Sequence, residues 1–158
     1  MSTAVIHQTF NFLVRIDTGE GGVLCEAAFA ECAGLEVSAA PKTIREGGNN
    51  SGPVHLAGPV SYGTLALKRG MSESFDLWSW FDQIHRDGGR HQRADCEVEV
   101  RSADNTATAY TMRLSRCLPI KLKAPDLNAK DGAIAIEEME IAYEGMRLVA
   151  PTGGDQGA

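Results

Sequence analysis

Apolar and polar side chains alternate with period two through most of this chain. Phe10, Phe12, Val14 and Ile16 share one side of residues 10–17, and Asn11, Arg15 and Asp17 share the other. That period belongs to a half-buried strand, and residues 18–22, rich in glycine, read as the turn that ends it. Residues 23–39 are again β-rich. Gly34, in the middle of that stretch, predicts a bend, because a lone glycine in a strand marks a bulge or a close backbone approach. Residues 47–59 carry four glycines and two prolines, a stretch too broken for a regular element, and predict a long loop. Loops longer than about 12 residues in a domain of this size are usually functional or disordered.

Residues 60–68 resume as a strand that breaks at Arg69 and Gly70. Ser72 follows as a candidate N-cap with Glu73 in the first turn, so a helix is predicted over about 73–86, ending at Gly88 and Gly89. It is rich in apolar residues: Phe75, Leu77, Trp78, Trp80, Phe81 and Ile84. Residues 94–101 alternate strictly, residues 102–106 form a turn, and residues 107–117 keep Tyr110, Met112 and Leu114 in phase, which predicts a hairpin. Residues 118–123 continue it past Pro119, a residue suited to an edge or a bulge. The last strand region, 133–148, starts with Ile134 and Ile136 in one phase and shifts to Met139, Ile141 and Tyr143 in the other. One extra residue near Glu137 and Glu138 would absorb the shift, so a β-bulge is expected there.

The pattern therefore predicts a mainly β fold, a small antiparallel barrel or two packed sheets with one flanking helix. With 158 residues the chain reads as a single domain over 1–148 and a frayed tail over 149–158. A net charge of −6 with no long run of Lys and Arg lacks the basic footprint of a tight nucleic-acid binder. Cys25, Cys32, Cys96 and Cys117 have neither the CxxC spacing of a zinc site nor the density of a disulfide scaffold, and read as reduced, mostly buried thiols. The N-terminus has no signal-like basic and apolar regions, and no stretch approaches a membrane span. Synthesis in a cytoplasm, without direct membrane insertion, is the expectation.

The search for chemistry yields little. No GxSxG, GxxxxGK[ST], GxGxxG or HExxH pattern is present. Asp82, His85, Asp87 and His91 are the best metal candidates, and a solvated polar face explains them better. Glu137, Glu138 and Glu140 are adjacent on a strand and so alternate between faces, which suits a solvated surface better than an acid/base dyad. No catalytic residue, cofactor or metal is expected. Asp95, Glu97 and Glu99 share one strand face, balanced along that strand only by Arg101. An ordinary wet sheet face accounts for them; so does the acidic wall of a channel.

In order and spacing, several segments together resemble the tail-tube family of contractile phages and related injection systems. They are Phe10–Ile16, Phe29–Glu36, Ile44–Asn49, Leu65–Gly70, Leu77–Trp80, Arg116–Lys121 and Ile136–Gly145. This family is similar in fold to the haemolysin-coregulated tube protein of type VI secretion. The resemblance implies a small β-barrel with one helix, six copies per ring, and rings stacked into a hollow tube inside a contractile sheath, with no cofactor. Implied partners are further copies of the chain, the sheath protein, baseplate or spike and tube-terminator proteins, and DNA or effector cargo in the lumen. The product would be a virion tail or a related injection particle.

Elementary physics points the same way. A chain this short cannot close a wide barrel, and open sheet edges are satisfied by pairing between subunits. The loop residues Gly47, Gly48, Asn49, Asn50, Ser51, Gly52, Pro53, Val54, His55 and Leu56 would then reach a neighbouring subunit or ring. Arg69 and Gly70 would let the strand turn into the helix, which Trp78 and Trp80 would anchor. Asp95, Glu97 and Glu99 are candidates for the lumen wall. Two alternatives are a monomeric ligand-binding β-barrel with an apolar cavity and a secreted tube or effector carrier of type VI type.

Overall fold

The alternating segments become strands in the computed structural model, which describes residues 11–19, 22–45, 47–48, 51–86, 93–130, 132 and 134–151. These are β1 (Phe12–Asp17), β2 (Val23–Ala27), β3 (Glu31–Ala33), β4 (Val37–Ala39), β5 (Lys42–Ile44), β6 (Val54–Leu56), β7 (Val60–Tyr62) and β8 (Thr64–Gly70). After the helix α1 (Asp76–Arg86) come β9 (Ala94–Arg101), β10 (Thr108–Lys123), β11 (Ile136–Ala142) and β12 (Gly145–Val149).

Strand β10 is long enough to serve two sheets. Its first half lies between β9 and β12, in the antiparallel order β2-β1-β9-β10-β12. Its second half pairs with β11 and continues to β8 and β3. The bend between the halves falls where the β9 register shifts between Leu114 and Cys117, and Arg116 there has a left-handed φ of 52°. Bulges turn strands from one sheet into another in this way. The two ends of the path, β2 and β3, are joined by residues 28–30 and share no ladder.

Val14, Ile16, Cys25, Cys96, Val98, Leu114 and Cys117 from one sheet meet Leu65, Leu67, Met139, Ile141 and Tyr143 from the other. Burying a side chain of Leu, Ile or Val size is worth about 1.5–3 kcal/mol, so this face-to-face core holds the barrel. These side chains fill the interior where a ligand-binding barrel would keep a cavity. Helix α1 closes one flank with Leu77, Trp80 and Ile84, which recur at helical spacing on one face. The four cysteines are free thiols; burial pushes Cys25 up to about 12 and Cys32 up to about 11.

Three local expectations are corrected. The loop predicted over 47–59 contains a strand, β6, and its end leads into β7; each pairs with a three-residue partner, β5 and β4. Three residues between glycines and prolines suffice for a ladder but show no readable period. The bulge expected near Glu137 and Glu138 does not occur: β11 runs against β8 in unbroken register from Ile136 to Ala142. Glu137 instead points inward in phase with Met139 and Ile141, and Ile134 and Ile136 face outward. Irregularities fall instead in β10, one of them beside buried Pro119, and in the β1–β2 ladder between Ile16 and Asp17. Finally, the helix starts at Asp76, with the Phe75 carbonyl accepting from the Ser79 N–H; the Ser72 hydroxyl caps only a preceding turn, accepting from the Ser74 N–H. The predicted helix terminus at Gly88 and Gly89, and the tail beyond residue 151, lie outside the described residues.

Candidate assembly surfaces

Between β3 and β8 the chain leaves the barrel as a two-stranded arm. Its base is fixed by backbone proximity. Gly34 has φ 90°, and a Cβ there would sit 1.8 Å from the Thr64 carbonyl oxygen, so only glycine lets the outgoing and returning strands cross. The Tyr143 hydroxyl donates to the Gly34 carbonyl (2.7 Å) and accepts from the Glu36 N–H (3.0 Å). Its ring packs 5.5 Å from that of Tyr62. One aromatic residue of the core thus sets the exit of the arm.

Along the arm, Val37, Ala39, Val60 and Tyr62 share one face by register, and Ser38 and Ser61 share the other, hydroxyl to hydroxyl at 3.0 Å. Farther out, Ile44, Val54, Leu56 and Lys42 lie together, opposite Thr43 and His55. The hinge between the two segments is another close crossing: a Cβ on Gly58 would lie 1.7 Å from the Ala40 carbonyl oxygen. Val37, Ile44, Leu56 and Val60 all remain exposed, Val37 and Val60 by more than half. These four apolar side chains are left uncovered by the arm's own barrel. Of the residues singled out in the predicted loop, Gly47, Gly48, Ser51, Gly52 and Pro53 lie at the arm's tip and Val54, His55 and Leu56 form β6. Asn49 and Asn50 lie outside the described residues.

A buried ionic cluster fixes the helix. The Arg69 guanidinium donates through Nε to Glu137 (2.5 Å), through Nη2 to Asp76, and through Nη1 to the Cys25 sulfur (3.4 Å). It lies 5.4 Å from the centre of the Phe29 ring. The Trp78 indole N–H donates to the second oxygen of Glu137 (2.9 Å). Glu137 is 1% exposed, and a buried carboxylate needs this degree of pairing. Burial alone would raise the Asp76 pKa, but the hydrogen bond and charge of Arg69 outweigh it and hold the carboxyl below its ordinary range. Strands β2, β8 and β11 and the helix N-terminus meet here. Trp80 is fully buried and Trp78 half-buried through its link to Glu137. Gly70 differs from expectation: it ends β8 in ordinary extended backbone, and a Cβ would make only a 3.8 Å contact with Ile134. The Glu137 cluster is the feature that sequence reasoning missed, and a carboxylate falling in the apolar phase of β11 was its signal.

Asp95, Glu97 and Glu99 lie on the outer face of the five-stranded sheet. That face is mixed in charge rather than acidic. Arg15 and Arg113 stand directly opposite Glu97 on the flanking strands, with Arg113 Nε 3.1 Å from the carboxylate. Glu99 accepts from the Thr108 hydroxyl (2.6 Å) and lies 3.4 Å from Arg101. The arginines from other strands are remote in sequence and invisible to a reading along one strand. The metal candidates are engaged elsewhere: Asp82 pairs with Arg86, and His85 bonds through Nε2 to the Pro119 carbonyl (2.8 Å). Asp87 and His91 lie outside the described residues. No helix among the described residues is long and apolar enough to cross a membrane.

A side-chain-filled core, a projecting arm with exposed apolar residues and open sheet borders are the features of a structural β subunit. Residues 8–147 match the T4-like virus tail tube protein gp19 family, and the chain belongs to that family of structural tube subunits. It is 30% identical to a chain in the cryo-EM structure of the anti-feeding prophage baseplate, six-fold symmetrised, covering 95% of this chain and 98% of that one with a TM-score of 0.75. It shares its fold with a chain of the sheath-tube complex of an extracellular contractile injection system, PVC, in the extended state (18% identity, 92% of each chain, TM-score 0.77). The same holds for a crystallised Hcp protein (14% identity, 90% of this chain and 94% of that one, TM-score 0.56). No curated protein matches the sequence.

Proposed function

We propose that copies of this chain close into six-membered rings and that the rings stack into the hollow inner tube of a contractile, phage-tail-like injection particle. The arm is the observation that carries this reading. Its apolar face, with Val37, Ile44, Leu56 and Val60 in water, is stable in solution only at a cost, and a neighbouring subunit or ring removes it. The six-fold symmetry named for the baseplate relative supports the ring size. The sheath-tube complex and the sheath/tube terminator named for two further similar structures support a sheath and a terminator as partners, beside baseplate or spike proteins.

In the ring, the outer face of the five-stranded sheet with Asp95, Glu97 and Glu99 lines the lumen. Interleaved carboxylates and guanidiniums give DNA or an acidic effector no continuous basic track on which to stick. The subunit itself is structural, acting by geometry and without a cofactor.

Limited proteolysis tests the role of the arm. The arm of free subunits is expected to be cut between residues 45 and 53, and that of assembled tubes to resist under the same conditions. Equal cleavage rates in the two states would overturn the stacking role.

A further inference from the structure

The order β2-β1-β9-β10-β12 leaves two strands, β2 and β12, with a free border among the described residues. Across the outer face of that sheet the registers place five charged residues directly opposite one another in one row: Glu26, Arg15, Glu97, Arg113 and Arg147. Signs alternate from Glu26 to Arg113, and the alternation fails at the last step, where Arg147 faces Arg113. Like charges directly opposite destabilise an antiparallel pair. Glu97 already takes Arg113 at 3.1 Å, and Arg147 has no ion-pair partner among the described residues. The row therefore ends in an unanswered positive charge at the β12 border and begins with a negative one, the exposed Glu26, at the β2 border.

We infer that β12 of one copy lies alongside β2 of the next, with Arg147 paired to Glu26 of the neighbouring copy, so that one charge row continues from subunit to subunit. This inference rests on the ring reading and assigns its lateral contact. Two other joinings fail on charge. A two-fold axis through the sheet would set β2 against β2, or β12 against β12, and bring Glu26 to Glu26 or Arg147 to Arg147. Five antiparallel strands leave the two border strands running in the same direction, so copies related by rotation about an axis along the strands meet β12 to β2 in parallel. Such a head-to-tail contact closes into a ring.

A second observation comes from the core-side face of the same border. Leu148 stands opposite Met112, on the side that faces the barrel interior elsewhere in the sheet, yet it is 62% exposed. A neighbour seated on the border would cover Leu148, adding apolar contact behind the charge pair.

Charge exchange tests the pair. Glu26→Arg alone and Arg147→Glu alone are expected to lower the fraction of chain in rings at least about tenfold, because like charges set against each other at an interface strongly disfavour it. The double exchange is expected to recover rings relative to either single exchange, the attraction between copies being rebuilt in reverse, and to stay below the unaltered chain because Glu26→Arg also faces Arg15 in its own sheet. Sizing chromatography and electron microscopy read the rings, and circular dichroism checks that each variant is folded. A second arm uses Glu26→Cys with Arg147→Cys, which under oxidation should give a covalent ladder of multimers that neither single cysteine gives. If all the charge variants form rings like the unaltered chain, or the double exchange stays ringless and the paired cysteines give no ladder, the lateral contact is wrong and the tube reading stands. If the unaltered chain forms no rings at any concentration, the tube reading itself fails.

Discussion

Glu137 shows how one side chain can mislead a reading of pattern and then explain it. In sequence it interrupts the apolar phase of β11, and a bulge is the economical explanation. In the fold the phase is unbroken, because Arg69 and Trp78 satisfy both carboxylate oxygens. Nothing near Glu137 in sequence announces partners 59 and 68 residues away, so this error follows from the length scale of the interaction. Removing one member of a buried pair strands the other, at about 3–5 kcal/mol. Glu137→Ala is therefore expected to lower stability by that amount in urea denaturation, and Glu140→Ala, at a half-exposed position, by less than about 1 kcal/mol. Tyr143→Phe removes the hydroxyl that ties the arm to the barrel. Its expected cost is about 1–3 kcal/mol, accompanied by faster proteolysis between residues 34 and 63. Asp76 adds a pH dependence. Its pKa is depressed in the fold, so its stabilisation is complete above the ordinary carboxylate value near 3.8 and is lost as the pH falls through the lower folded value. Tryptophan fluorescence from Trp78 and Trp80 should therefore report a helix loosening in that acid range, and Asp76→Asn should show the loosened signal already at neutral pH.

At the scale of elements, legibility tracked the length of the period. The strands β1, β9 and the first half of β10 were readable because five or more residues alternate without interruption, and the β9–β10 hairpin because its turn is local. Gly34 was readable as a bend because its requirement is steric. The arm's ribbon was not, because β4 to β7 have three residues each and glycine or proline between them. The contact role proposed for it rests, in the sequence, only on a long segment with no core of its own. The mixed charge of the lumen candidate was likewise hidden, since Arg15 and Arg113 join Glu97 only through pairing. Because the arm contributes little to the barrel core, replacing residues 42–56 by a short glycine-serine turn should leave the melting temperature of the free subunit within about 4 °C, a shift of roughly 1 kcal/mol or less. The same variant should form no stacked rings by electron microscopy. A large loss of subunit stability would mean that the arm serves the fold and not the assembly.

The whole molecule is a filled barrel with its weak points on the outside. A two-sheet core and a pinned helix make the subunit self-sufficient inside, and the β2 and β12 borders and the apolar side chains of the arm remain unspent. Sheet borders left open invite association, and natural proteins that do not use them usually blunt them. The central claim, that sister copies complete this subunit, is tested most directly by negative-stain electron microscopy of the purified chain across a concentration series. Hollow six-fold rings, and short stacks of them at high concentration, are the expected result; particles that stay single and solid at every concentration would contradict it.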